Sequence, residues 1–336
     1  MADLNLCIIS RCNCGCDFCY AGVLRDGPEQ MMSVEDVVRI LNFAGLSHLR
    51  GPRVTISGGE PTLHPQIVEI IGEIRRENST ANIRLLTNLT CSRELLSRLR
   101  PLGIGCVANV AGYPGYSTAQ QETVRSNLAF LRENRAFQWF WLAVTISDAE
   151  QDFGFLYDLL SEDRPRAIDA LRLSISTPGQ GFANRFPEGS FPRLGEKYLE
   201  IVERCHQIRP FFTYVNECFV DMCMMSEGIY AKLDPVVMNL RKYCAGSFDI
   251  LPDFSMHWCF AFAGVPEMGI GNIFAYRSLA EAQAALQAKA GEMLRALDRQ
   301  CDTIRCVNVS CPGPCPAVLY YRKFIRGKRQ GQDGRA

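Results

Sequence analysis

Neither sign of charge prevails in this sequence, in which 36 lysines and arginines stand against 36 aspartates and glutamates. Without a net field the chain has no general attraction for nucleic acid, an anionic membrane or an acidic substrate. Long apolar runs are missing too. Met1-Ala2-Asp3 lacks a basic region, and the apolar run that follows is too short for a signal peptide or a membrane span, so a cytoplasmic location is expected. Histidine is scarce. His48, His64, His206 and His257 show no metal-ligand spacing and read as surface or satisfied core residues.

Cysteine is abundant, with 16 residues that gather near the two ends and between Cys205 and Cys259. Small core hydrophobes would be spread more evenly. In a reducing compartment such density points to metal binding or redox work rather than a disulfide framework, and iron–sulfur leads. A hydrophobic content of 47% over 336 residues is enough to bury a real core.

Six apolar, β-branched runs read as buried strands: 4–10, 53–57, 82–86, 104–110, 140–146 and 171–176. Between them, 33–46, 65–77, 92–99, 123–134 and 153–160 carry apolar residues at helical spacing. Ser33 and Asp36 make a capping-box start signal for the first. Alternating strand and helix implies a parallel sheet, and six units are too few for a closed eight-fold barrel. The expectation is therefore an α/β fold with an open, partial (β/α)6 barrel over residues 1–210 and functional loops at its C-terminal strand ends. Segment 177–193, rich in Gly, Pro, Phe and Asn, reads as a long active-site loop. A helix over 194–208 is expected to close the barrel. Residues 211–321 read as a smaller cysteine-rich domain, irregular apart from a helix over 279–297, and 322–336 as a basic flexible tail.

The segment Ser10-Arg11-Cys12-Asn13-Cys14-Gly15-Cys16-Asp17-Phe18-Cys19-Tyr20 places Cys12, Cys16 and Cys19 as C-x3-C-x2-C at the end of the first strand. Soft thiolates at this spacing suit three irons of a cubane cluster, leaving the fourth iron open to chelate a small molecule. Cys12, Cys14, Cys16 and Cys19 together also admit a tetrahedral zinc site, although structural zinc usually draws on two separated pairs. Cys7, Cys14, Cys91, Cys106 and Cys205 read as packing residues.

This pattern, with Phe18 just before the last cysteine, resembles the radical S-adenosylmethionine (SAM) superfamily. Ser57-Gly58-Gly59-Glu60-Pro61, after the second strand, resembles that family's GGEP motif. There the two glycines are expected to let the backbone approach a ligand. The resemblance implies a [4Fe-4S] cluster that binds SAM. It also implies SAM contacts from Phe18, Gly58, Gly59, Glu60, Thr87, Asn88, Asn109 and Ser174. Ala108-Asn109-Val110-Ala111-Gly112 departs from the serine-containing version common in the family.

Cys244, Cys259, Cys301, Cys306, Cys311 and Cys315 resemble the SPASM or shorter twitch extension, which implies one or two auxiliary iron–sulfur clusters. Phe254 stands where that extension usually has glycine, and no cysteine follows Cys315. Zinc is the alternative for these cysteines. Cys218 and Cys223 fit neither half, and a thiol hydrogen donor, a cluster ligand and a packing role stay open.

The resemblance implies an oxidoreductase that cleaves SAM to a 5′-deoxyadenosyl radical and takes hydrogen from an unactivated C–H bond. A small electron donor of the flavodoxin or ferredoxin type would serve it. Ribosomal peptide maturation, by crosslinking or oxidation, is the leading expectation, from Phe182, Phe186 and Phe191 in the long loop. With the barrel starting at Leu4, a peptide would call for a separate leader-peptide-binding protein. Dehydrogenation or epimerisation of a sugar or aminocyclitol metabolite is the alternative substrate reading. A non-catalytic iron–sulfur redox or metal-sensing module is the alternative of another class.

Overall fold

The computed structural model describes residues 3–16, 18–19, 22–25, 27–163, 167–176, 191–210, 212–216, 225–240, 246–298 and 315–320. Its strands are β1 (Asp3–Cys7), β2 (Arg53–Ser57), β3 (Asn82–Thr87), β4 (Gly105–Asn109), β5 (Phe140–Ile146), β6 (Ala170–Ile175), β7 (Thr213–Asn216), β8 (Val237–Met238), β9 (Asp249–Ile250), β10 (Met256–His257) and β11 (Gly269–Ile270). The helices are α1 (Gly22–Arg25), α2 (Val34–Phe43), α3 (Ile67–Glu77), α4 (Arg93–Leu99), α5 (Thr118–Asn134), α6 (Gly154–Glu162), α7 (Phe191–Ile208), α8 (Glu227–Leu233), α9 (Leu279–Asp298) and α10 (Pro316–Tyr320).

The strands form one sheet in the order β11-β10-β9-β1-β2-β3-β4-β5-β6-β7-β8. From β1 to β8 every neighbour is parallel, as is β9 to β1, whereas β10 and β11 run antiparallel. The fold is α/β with a mainly parallel open sheet, consistent with the expected partial barrel. The ladder nevertheless does not stop at β6. Strands β7 and β8 extend one edge and β9 to β11 the other, with α8 between β7 and β8. Four of these five strands are two residues long, too short for any periodic pattern to register.

Helix starts follow local chemistry. Ser33 Oγ accepts from the Asp36 N–H at 3.0 Å, and Asp36 Oδ2 accepts from the Ser33 N–H at 2.9 Å, closing the expected capping box of α2. Helix α5 begins at Thr118, a full turn before the expected Thr123, because Ser117 and Gln120 form a second such box. Helix α3 presents Ile67, Ile70, Ile71 and Ile74 to the sheet, all fully buried. Each contributes about 1.5–3 kcal/mol relative to exposure.

One buried ion pair ties α7 to the β6 approach. Arg209 donates to Asp163 Oδ2 at 2.9 Å and to the Ile168 carbonyl at 2.6 Å, and Asp163 also accepts from the Ala167 and Ile168 N–H groups. Removing one member leaves an uncompensated buried charge. Arg209→Met is expected to destabilise the protein by about 3–5 kcal/mol. A lowered urea midpoint checks it, and an unchanged midpoint would refute it.

Candidate functional site

Parallel α/β sheets place ligands at the C-terminal ends of their strands, and the cysteine loop leaves β1 at that end. Cys12, Cys16, Phe18 and Cys19 are half-buried, with the first three packed against the main core. Cys19 rests beside the small apolar group of Cys7, Leu251, Phe260 and Ala263. The loop folds back on itself through Cys19 N–H to Cys16 C=O and Gly22 N–H to Cys19 C=O, both 3.2 Å, and runs into α1.

The Ser57-Gly58-Gly59-Glu60 segment lies directly alongside. Gly59 N–H donates to Ile9 C=O at 2.8 Å and Glu60 N–H to Arg11 C=O at 2.9 Å. A Cβ on Gly58 would sit 2.3 Å from the Ile9 carbonyl oxygen, and one on Gly59 would sit 2.3 Å from that of Arg11. The close approach these glycines permit is thus to the backbone leading into the cysteine loop. The expectation that they serve approach to a ligand overlooked this, because sequence alone does not show which two loops run side by side.

The Glu60 carboxylate is buried and accepts from Thr62 N–H (3.0 Å), Thr62 Oγ1 (2.5 Å), Thr87 Oγ1 (2.7 Å) and Asn88 N–H (2.6 Å). Burial pushes its carboxyl upward against these hydrogen bonds. Asn88 Nδ2 reaches Asn13 Oδ1 at 2.8 Å and Cys14 Sγ at 3.1 Å. Asn13 is held further by Thr90 Oγ1 at 2.9 Å and by Gln120 Nε2 at 3.0 Å. Glu60 and Asn88, joined to each other and to Thr87, therefore clamp the cysteine loop to the ends of β2 and β3, and Gln120 ties it to α5. Asn109 accepts from Ala111 N–H at 3.1 Å and donates to Thr145 at 3.5 Å, while Ser174 is buried on β6 in register with Thr145.

Two contributors escaped the sequence. A Cβ on Gly112 would lie 2.5 Å from Cys16 Sγ and 2.8 Å from the Tyr116 ring, so the glycine makes room for a cysteine of the loop. Tyr116 is buried beside Cys14 and Cys16, and burial pushes its hydroxyl well above the usual range. Glycine and tyrosine after β4 carry no signal until the fold sets them against the loop. The hydrogen bond to Cys12 and burial push the Cys14 thiol upward. Burial does the same to Cys7 and Cys106, and raises Cys91 and Cys205 to about 12. His64 is a satisfied core residue, with Nε2 on Met32 C=O at 2.7 Å and Nδ1 accepting from Gln66 N–H at 3.1 Å.

Among the described residues, no three His, Cys, Asp or Glu side chains converge to hold a single metal ion. A cubane takes one thiolate per iron, so its ligands need not converge on a point. Three soft, half-exposed thiols on one clamped loop, with a glycine opposite Cys16, fit that group.

Farther along the chain, Cys315 is buried in a small core with Trp258, Phe262, Val265 and Met268, and Cys259 packs against it. The fold thus brings together two of the cysteines expected to serve an auxiliary cluster. Cys244, Cys301, Cys306 and Cys311 lie outside the described residues, as do Cys218 and Cys223. Phe254, expected where glycine is usual, does adopt the left-handed conformation, at φ 65°. Its ring packs edge-on against Phe274 at 5.2 Å, with Arg39 also over the Phe274 ring at 3.7 Å. The ring pair contributes about 0.5–1.5 kcal/mol against backbone strain of about 1–3 kcal/mol.

Residues 6–112 match the family model described as the Radical SAM superfamily. Over this segment the chain is similar to radical SAM domains. Members of that family bind a [4Fe-4S] cluster and SAM. Among curated proteins, the domain's relatives include a "Probable GTP 3′,8-cyclase" of Methanothermobacter marburgensis, 35% identical over 128 residues, or 37% of this chain and 38% of that protein. A GTP 3′,8-cyclase of Microcystis aeruginosa is 30% identical over 25% of this chain and 26% of its own. The chain thus aligns with well under half the length of these relatives. Among solved structures, native anSMEcpe with bound AdoMet superposes with a TM-score of 0.64 at 15% identity, over 99% of this chain and 100% of that one. Streptococcus suis SuiB bound to precursor peptide SuiA gives 0.61 at 15% identity, over 82% and 63%. At such identity the likeness is one of fold. No helix among the described residues is long and apolar enough to cross a membrane.

Proposed function

We propose that this radical SAM chain cleaves SAM reductively and removes hydrogen from an unactivated C–H bond of a ribosomal peptide, in crosslinking or oxidation. The observation that carries the chemistry is the loop of Cys12, Cys16 and Cys19, clamped by Gly58, Gly59 and Glu60 at the C-terminal end of β1. A [4Fe-4S] cluster there, with SAM on its open iron, supplies the 5′-deoxyadenosyl radical when bound. The chain's own part is to hold and orient. Cys12, Cys16 and Cys19 are the ligands, Phe18 flanks them, and Asn109 and Ser174 offer polar groups at neighbouring strand ends. Cys259 and Cys315, joined by Cys244, Cys301, Cys306 and Cys311, hold one or two auxiliary clusters. Cys218 or Cys223 acts as thiol donor or ligand. A flavodoxin- or ferredoxin-type donor supplies electrons, and a separate leader-binding protein presents the peptide.

Support for a peptide substrate comes from the fold match to anSMEcpe and SuiB, both of which have been solved with bound peptides. A purine nucleotide is the second reading, favoured by the identity with GTP 3′,8-cyclases. The cluster-loaded protein is expected to form 5′-deoxyadenosine from SAM and a reductant. Added to that assay, a peptide encoded by an adjacent gene should lose two hydrogens by mass. Consumption of GTP in its place would select the second reading, and no 5′-deoxyadenosine under any condition would refute both.

A further inference from the structure

Between Cys12 and Cys16 the cysteine loop carries Asn13, Cys14 and Gly15, and the side chains of the first two are anchored. Asn13 Oδ1 accepts from Asn88 Nδ2 at 2.8 Å, and Asn13 Nδ2 donates to Thr90 Oγ1 at 2.9 Å. Cys14 Sγ accepts from the same Asn88 amide at 3.1 Å. With both side chains held, the planar peptide that joins the two residues can still turn about the line between their Cα atoms.

That peptide is hydrogen-bonded at both ends. Its N–H, which belongs to Cys14, donates to Cys12 Sγ at 3.4 Å. Its C=O, which belongs to Asn13, accepts from Gln120 Nε2 at 3.0 Å. In a trans peptide these two groups point in opposite directions, so a donor that holds the carbonyl also aims the N–H. The same donor polarises the amide and strengthens the bond at its other end.

Gln120 is itself fixed. It is the third residue of α5, and its Oε1 accepts from the Ser117 N–H at 2.9 Å while Ser117 Oγ accepts from its own N–H at 3.3 Å, closing the capping box. The Ser117 N–H requires an oxygen and the Asn13 carbonyl requires an N–H, so the two contacts decide which way round the amide sits. Glutamate and glutamine both complete a capping box at this position, but only glutamine keeps a donor for a second partner.

We propose that Gln120 is a positioning residue that holds the Asn13–Cys14 peptide with its N–H on the Cys12 sulfur, and thereby raises the reduction potential of the cluster bound through Cys12, Cys16 and Cys19. This role rests on the reading of that loop as the [4Fe-4S] site. Reduction adds negative charge, and a hydrogen bond to a ligand sulfur stabilises the more negative state. Loss of the bond therefore lowers the potential.

Reconstituted full-length protein, without SAM, is titrated with dithionite in the presence of mediators and followed by electron paramagnetic resonance. The signal to follow is the one missing from protein in which Cys12, Cys16 and Cys19 are alanine. Gln120→Met keeps the length and neutrality of the side chain and removes its donor. The one-electron reduction equilibrium of that variant should fall by about threefold or more, a shift of about 30 mV to more negative potential. Ser117→Ala weakens the same helix start but leaves Gln120 Nε2 in place, so it should lower the melting temperature and keep the wild-type potential. An unchanged potential in Gln120→Met, or an equal shift in Ser117→Ala, would overturn the assignment. Iron lost from Gln120→Met would overturn it as well, because the contact would then support the loop without tuning its cluster. Identical signals from wild-type and triple-alanine protein would instead refute the reading of the loop as the cluster site.

Discussion

Protein in which Cys12, Cys16 and Cys19 are all alanine is expected to form 5′-deoxyadenosine from SAM only at the level of a protein-free control. The three thiols sit on one loop and are the donor set through which the chain would hold the cluster that SAM needs. Alanine removes every ligand, whereas second-sphere changes only weaken a site, typically by about 10–100-fold. The fold should survive. All three side chains are half-exposed, and the loop is held mainly through Ile9, Arg11, Asn13 and Cys14, none of which is changed. Stability should fall by no more than about 1 kcal/mol per site. Two measurements taken together are decisive. Anaerobic assay should show 5′-deoxyadenosine lost, while reconstituted variant protein still contains iron and sulfide if Cys259, Cys315 and their partners hold an auxiliary cluster. Undiminished 5′-deoxyadenosine would sink the radical SAM reading. Zinc in place of iron in the variant would sink the auxiliary cluster alone.

What could be read beforehand follows from the range of each signal. Strands β2 and β5 occur at the expected bounds because each is a continuous apolar run flanked by turn residues, a local property. The start of α2 was legible because the capping box is complete within Ser33 and Asp36. Strands β8 to β11 were not, since two-residue strands owe their conformation to the neighbour they pair with. At the candidate site, spacing alone singles out Cys12, Cys16 and Cys19 as candidates. The clamp around them has no such signal, because Asn88 meets Cys14 across 74 positions of sequence and Gln120 meets Asn13 across 107. The same distance hid Gly112, whose missing side chain matters only once β4 delivers it to Cys16. Phe254 is the converse case. Its place in a glycine pattern was visible, but the Phe274 contact that accompanies the left-handed backbone appears only in the fold.

Gly59→Ala is expected to impair the cysteine loop almost as severely as removal of its thiols, though no ligand is touched. The added Cβ would lie 2.3 Å from the Arg11 carbonyl oxygen and 2.5 Å from that of Ser10. Both obstacles are backbone, so no side-chain rotation can relieve them. The strand end must move away, and with it go the Gly59–Ile9 and Glu60–Arg11 hydrogen bonds of 2.8 and 2.9 Å. Two such bonds at about 1 kcal/mol each, with an overpacking cost of about 1–3 kcal/mol, give a local destabilisation of about 3–5 kcal/mol. Arg11 immediately precedes Cys12, so the displacement passes directly to the first thiol. A shift of about 1 Å in a positioning element can cost about 100-fold in rate, and 5′-deoxyadenosine formation should fall by at least that order. Gly72→Ala is the matched control, because nothing lies within 4 Å of its added Cβ and the residue is inside α3. That substitution should keep full activity and raise stability by about 0.5–1 kcal/mol. Iron content measured beside turnover, with the triple-alanine protein as the reference for iron held elsewhere, separates a displaced loop, which loses turnover and falls to that reference, from a distorted SAM pocket, which keeps wild-type iron and loses turnover. Wild-type iron together with wild-type turnover in Gly59→Ala would show that the close approach of the two loops is not needed to hold the site.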